Sequence, residues 1–290
     1  MTSSVFDYEK PTSIQQAITL LSVPGAVALA GGQSLIPLLN RRSIAPKTVV
    51  DISQIPELRK IGLHHAFFRI GAAARLSEIQ RSPALAEFPL LSEALMSTAN
   101  PTIRNRATLV GNLVRANPFS ELSIAVVALD AQIVIGGVGK TRKIAASDFF
   151  VGPHVSAIGE GEIVIAVEFP RPKGALMGCS FSEITARASA PPLICVAARI
   201  EADAQAIITD TCLVVGGITG RPARCVNLEA VLKGTSVQAA AASQVPTENL
   251  VASPELSSAD YALEVLPVVL ERAVVRAISA LAPISKSTES

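Results

Sequence analysis

The sequence predicts an α+β fold: two mixed subdomains followed by a smaller C-terminal domain of antiparallel sheet plus helices. Three observations predict it. Short apolar runs at residues 26–29, 48–52 and 163–169 alternate with helical patterns, but without a regular strand–helix–strand repeat. From about Met177 the pattern changes, and the runs at 194–200, 206–208 and 211–215 follow one another at turn spacing, as antiparallel strands do. Last, residues 258–281 carry Leu263, Leu266, Val269, Leu270 and Val274 at helical spacing, with Glu264, Glu271, Arg272 and Arg276 between them. These shifts place the divisions at 1–55, 56–175 and 176–290.

Taken in order, Ser13 with Gln16 fits a capping box, and Ile14, Ala17, Ile18 and Leu21 share a helix face that Pro24-Gly25 stops. A buried strand at 26–29 runs into Gly31-Gly32, a short helix covers 35–40, and a second strand covers 48–52. Residues 59–62 and 66–71 pair as strands around His64-His65. Adjacent strand side chains point to opposite faces, so this His pair reads as an exposed turn. Ser77 caps a short helix, and a longer one at 89–99 ends at Asn100-Pro101. Thr108-Leu109-Val110-Gly111-Asn112 reads as a strand-like run ending in a glycine. A helix at 122–129, a strand at 132–135, a short helix at 146–150 and the strand at 163–169 complete the middle of the chain. Beyond the sheet, a helix is expected at 227–232.

Composition excludes several classes. The 290 residues are 49% hydrophobic, which points to buried subunit interfaces. The richest run, 124–139, is broken by Asp130 and too short to span a membrane, and residues 1–11 carry Asp7, Glu9 and Lys10 instead of a signal-peptide core. With 25 Lys+Arg against 24 Asp+Glu and no basic block, nucleic acid is not an expected partner. The four cysteines are widely spaced and form no Cys-x-x-Cys, so they read as core thiols of a cytoplasmic protein and not as cluster or zinc ligands. No Gly-x-Gly-x-x-Gly motif supports a dedicated NAD domain.

Two stretches carry chemistry. Ala30-Gly31-Gly32-Gln33-Ser34-Leu35 follows a strand and opens a helix. Adjacent glycines there expose successive N–H groups as an anion nest, and Ser34 adds a hydroxyl donor. The alternative is a tight turn that binds nothing. The second stretch, residues 102–122, reads Thr-Ile-Arg-Asn-Arg-Ala-Thr-Leu-Val-Gly-Asn-Leu-Val-Arg-Ala-Asn-Pro-Phe-Ser-Glu-Leu. Together they resemble the FAD-binding medium subunit of the molybdenum hydroxylases, the type found in carbon monoxide dehydrogenase and in the flavin domain of xanthine dehydrogenase. Val215-Gly-Gly-Ile-Thr-Gly-Arg-Pro-Ala-Arg224 and the helix from Tyr261 extend the resemblance over essentially the whole chain.

The resemblance implies a two-part PCMH-type FAD-binding domain, with Ala30, Gly31, Gly32, Gln33, Ser34 and Leu35 around the pyrophosphate. Thr108, Leu109, Val110, Gly111 and Asn112 would form a second wall, and Glu121 would accept hydrogen bonds from sugar hydroxyls. No His or Cys lies between Met1 and Leu63 or at Thr108, so the FAD would be non-covalent. The implied role is electron transfer from iron–sulfur clusters through FAD to a small-molecule acceptor. The molybdenum cofactor and the clusters would belong to partners, a large molybdopterin subunit and a small iron–sulfur subunit, in a heterotrimer or a dimer of heterotrimers. No catalytic acid or base and no metal site of this chain's own is expected.

Some residues depart from the family pattern. Val110 and Ala107 stand where glycines are usual, and a valine forced to positive φ would be strained by about 1–3 kcal/mol. Within 181–190, Glu183 replaces a usual Lys and Ala190 a usual Asp, in a stretch that in the family packs near the flavin ring. These departures leave a flavin-less bridging subunit, or a stand-alone flavin oxidase, as alternative readings.

Overall fold

The computed structural model describes residues 5–173, 175–187, 190–242 and 248–284. Its elements form two compact units, each assembled from separate stretches of chain. The first comprises residues 1–83, 99–116 and 131–169; the second comprises 84–98, 117–130 and 170–290.

In the first unit, a three-stranded parallel sheet runs in the order Asp7–Glu9, Thr48–Asp51, Ala26–Leu29. Val49 and Val50 of its central strand are buried. The helix Ile14–Leu21 starts where expected, with the Ser13 hydroxyl accepting from the Gln16 N–H at 3.2 Å. Gln16 does not close the expected box: its side-chain oxygen accepts from the Thr12 N–H at 2.9 Å, one residue earlier. A five-stranded sheet follows in the order Ile61–Leu63, Phe67–Gly71, Ile163–Pro170, Gln132–Gly137, Lys140–Ala145. Exposed His64 and His65 turn the chain between its first two strands. The helix Leu76–Gln80 begins one residue before Ser77, because the Glu78 carboxylate accepts from the Arg75 N–H at 2.8 Å. Asn100 does more than end the preceding helix: its side chain caps Pro101–Arg104, accepting from the Ile103 N–H at 3.0 Å.

In the second unit, the central strands Leu176–Thr185, Pro192–Ala202 and Ile208–Gly216 are antiparallel and buried along most of their length. Cover on both faces explains the nearly continuous apolar runs of these strands. Val196, Ala198, Ile200, Leu213 and Val215 pack in one cluster with Leu266, Val269, Leu270 and Val274 of the helix Ala259–Ser279. Residues of opposite parity meet the helix Glu121–Ala128: the Arg199 Nε–H donates to the Ala128 carbonyl at 2.9 Å. Gly178 sits against the Ala277 carbonyl, where a Cβ would lie only 2.0 Å from that oxygen. The expected strand at 206–208 is a turn. Ala206 has φ +59°, and the Asp203 carboxylate accepts from the N–H groups of Gln205 and Ile207, each at 2.9 Å. The ladder starts only at Ile208.

All four cysteines are free and buried, three in the central strands and Cys225 at the start of the helix Val226–Leu232. Burial pushes the Cys179 and Cys212 thiols up to about 12, which keeps them protonated and unreactive. Among the described residues, no helix is long and apolar enough to cross a membrane, and no cluster of His, Cys, Asp and Glu could hold a metal ion.

Candidate functional site

A cleft of about 560 Å³ opens in the first unit where two parallel strands end together. Leu29 and Asp51 are register partners, so both strands stop at the same level. Clefts of this kind form beyond the carboxyl ends of parallel strands. The chain leaves at Ala30 and turns through Gly31 and Gly32, the latter at φ +73°. The Ile36 N–H donates to the Gly32 carbonyl at 3.1 Å, so the helix Leu35–Asn40 begins without a linker.

Gly31 is where the two sequence stretches meet. A Cβ on Gly31 would lie 2.1 Å from the Arg106 carbonyl oxygen and 2.9 Å from the Ala107 Cα. The two segments therefore touch backbone to backbone, at a distance only glycine allows. Ala30, Gly31, Gly32, Gln33 and Thr108 line the cleft. Ser34 and Leu35 stand at the entrance of the following helix, with Ser34 exposed and its hydroxyl making no capping bond there.

The second stretch is not a strand. Thr108 is the N-cap of a helix Leu109–Arg115, its hydroxyl accepting from the Gly111 N–H at 3.0 Å. Side-chain capping outweighs the strand preference of Thr108 and Val110. Leu109 and Val110 are buried, while Gly111 and Asn112 belong to the first turns of the same helix. The strain expected at Val110 does not arise, because the residue has helical backbone and is 5% exposed. Val110→Gly is expected to destabilise the chain by about 1–3 kcal/mol through lost burial and backbone entropy. A urea unfolding series checks this; a gain in stability would restore the strain argument.

Several cleft residues had no sequence signal. Tyr8 donates its hydroxyl to Asp51 Oδ2 at 2.5 Å, and the Ser53 N–H donates to Asp51 Oδ1 at 2.9 Å. Partial burial opposes the Asp51 charge, but these hydrogen bonds outweigh it and hold the carboxyl below its usual range. The same hydrogen bond to Asp51 pushes Tyr8 up to about 12. Arg75 and Arg106 also line the cleft. Asp51 is the only acid among the lining residues, so the cleft carries a positive excess.

Glu121 belongs to the second unit, and the cleft of the first is built without it. It opens the helix Glu121–Ala128 just after the Ser120 cap. Burial, reinforced by the charge of Glu183, pushes its carboxyl up to about 7. Burial raises Glu183 as well; Ala188 and Ser189 of that stretch lie outside the described residues. The unfolded glutamate titrates near 4.5, so between that pH and about 7 the folded chain keeps a proton the unfolded chain releases. The stability Glu121 contributes is full below that window and is lost as pH rises through it. Glu121→Gln is expected to be more stable than wild type by about 2–3 kcal/mol at a pH of about 8, and equal to it at a pH of about 4. Urea midpoints at the two pH values decide it.

The geometry suits the phosphate-bearing part of a dinucleotide: a glycine turn that no Cβ fills, beside two arginines with one engaged acid. The family model of the FAD binding domain in molybdopterin dehydrogenase matches residues 4–172, and that of the CO dehydrogenase flavoprotein C-terminal domain matches 180–277. The chain is 32% identical to the 6-hydroxypseudooxynicotine dehydrogenase complex subunit alpha of Paenarthrobacter nicotinovorans, over 98% of each protein. It is 31% identical to the nicotine 6-hydroxylase medium subunit of the same organism, over 93% of this chain and 96% of that one. Among solved structures, a chain of carbon monoxide dehydrogenase from Hydrogenophaga pseudoflava superposes with a TM-score of 0.87 at 26% identity, covering 97% of this chain and 100% of its own. A chain of quinoline 2-oxidoreductase from Pseudomonas putida 86 gives 0.86 at 26% identity, covering 96% and 99%.

Proposed function

The chain belongs to the FAD-binding medium subunits of the molybdenum hydroxylases, an oxidoreductase family, and from that premise we propose that it is the flavin-bearing electron-transfer subunit of a dehydrogenase complex. It receives electrons from iron–sulfur clusters of a small partner subunit and delivers them to an external small-molecule acceptor. A large partner subunit carries the molybdenum cofactor and meets the substrate. The assembly is a heterotrimer, or a dimer of heterotrimers, in the cytoplasm.

The observation that carries this reading is the backbone contact between Gly31 and residues 106–107, which leaves a glycine-floored cleft with positive charge on its walls. FAD, when bound, supplies a store that accepts electron pairs and releases them singly or together. The chain's own task is to hold it. The N–H groups of the Gly31-Gly32 turn stabilise phosphate charge at no side-chain entropy cost, and Ser34 keeps its hydroxyl free of the helix cap to add a donor. Asp51, held ionised by Tyr8 and Ser53, offers an acceptor for sugar hydroxyls at the strand end. With neither His nor Cys in the glycine turn or at Thr108, attachment is non-covalent.

The test is the visible spectrum of the purified full-length chain, followed by heat release and chromatography of the chromophore. The expected result is oxidised-flavin absorption with FAD in the supernatant. A colourless chain that also fails to take up added FAD would overturn the proposal. Copurification with the two partner subunits, in equal proportion, tests the assembly separately.

A further inference from the structure

Resting on that reading, we propose that Arg75 and Arg106 form a guanidinium pair that recognises the diphosphate of the bound dinucleotide and sets the preference for FAD over flavins with one phosphate or none. Both residues line the cleft that holds the glycine turn. The Arg106 carbonyl is the atom Gly31 packs against, and Arg75 forms an isolated antiparallel bridge with Thr108. The two side chains therefore issue from backbone that is fixed relative to the turn.

Among the described residues, neither arginine makes an ion pair at salt-bridge distance. Glu78, the acid that interacts with Arg75 electrostatically, already pairs with Arg59 at 2.9 Å and accepts the Arg75 backbone N–H. Asp51 is occupied by the Tyr8 hydroxyl and the Ser53 N–H. A third cation, Lys10, stands over the Tyr8 ring, 5.3 Å from its centroid. Two guanidinium groups beside an anion nest match a ligand bearing two adjacent phosphates, since each fork can take two oxygens of one phosphate. One phosphate would leave half of that donor set to water, and none would leave it all.

The experiment uses the full-length chain stripped of flavin. Binding of FAD, FMN, riboflavin and ADP is titrated for wild type, Arg75→Gln, Arg106→Gln and the double variant, across a salt series. Each single substitution is expected to weaken FAD and ADP about 10- to 100-fold and to leave riboflavin unchanged, so that the preference for FAD collapses. The salt dependence of FAD binding falls with it. Lysine at either position keeps the charge without the fork and recovers part of the ADP affinity, which separates recognition from packing. Variants that bind FAD as wild type does overturn this proposal and leave the functional reading standing. So does an equal loss for riboflavin and FAD. A wild-type chain that takes up neither FAD nor ADP overturns both together.

Discussion

Gly31→Ala is expected to abolish FAD uptake. The added methyl carbon would have to sit 2.1 Å from the Arg106 carbonyl oxygen and 2.9 Å from the Ala107 Cα, both main-chain atoms that cannot rotate away. Either the glycine turn or the 106–108 segment must move, and each forms a wall of the same cleft. Overpacking of this kind costs about 2–3 kcal/mol. The larger effect is on binding, because the N–H groups of the turn no longer point at one place. Gly152→Ala is the control: a Cβ there meets nothing within 4 Å and its φ is not positive, so flavin content and stability stay at wild-type level. Cofactor content of the purified variants, read from visible absorption, checks both. Full flavin content in Gly31→Ala would mean that the cleft is not the cofactor site.

Arg199→Met is expected to be the most damaging single change to stability. The side chain is nearly buried, and four oxygens depend on it. Its Nε–H donates to the Ala128 carbonyl, one Nη reaches Asp130 at 2.5 Å and Asp210 at 3.1 Å, and the other pairs with buried Glu201. Arg224 lies 3.9 Å from Asp130 but is committed to Glu229 at 2.7 Å, so it cannot take over. Removing the cation leaves the Glu201 carboxylate buried without it, while Asp130 and Asp210 stay half-exposed, and loss of such a buried pair costs about 3–5 kcal/mol. The deficit has a direction in pH. Burial already raises the Asp130 carboxyl and Arg199 opposes that rise, so without Arg199 it titrates higher still, and the loss is full at neutral pH and shrinks as acid protonates Asp130. Arg59→Met removes an exposed pair with Glu78 and should change stability by no more than about 0.5 kcal/mol. Urea unfolding at neutral and acid pH measures all of this; equal small losses for Arg59 and Arg199 would show that the network contributes little.

Much of the fold was legible because its signals are local. Ser13 starts a helix by its hydroxyl, residues 35–40 turn back directly from the glycines, and the apolar run at residues 194–200 reads as a strand of the antiparallel sheet. The failures are also local, and each has an atom behind it. The Thr108 hydroxyl turned an apparent strand into a helix, and the Asp203 carboxylate turned another into a tight turn. The strand Asp7–Glu9 gave no pattern at all, since all three residues are exposed. At the site, Gly31 and Gly32 were readable because a paired-glycine turn is chemically unusual. Tyr8, Asp51, Arg75 and Arg106 were not, because ordinary residues from four separate stretches gain meaning only when folding brings them to one cleft.

The interleaving of the two units bears on how the chain is made. The helices Pro89–Ser97 and Glu121–Ala128 leave the ribosome well before the strands between Leu176 and Gly216 on which they pack. Glu121–Ala128 is apolar almost all round, with every residue from Leu122 to Ala128 buried. Until the strands up to Gly216 have been translated, these helices have only each other to cover part of their apolar surface. A nascent chain paused or cut near residue 172 is therefore a chaperone client, not a free-standing flavin domain.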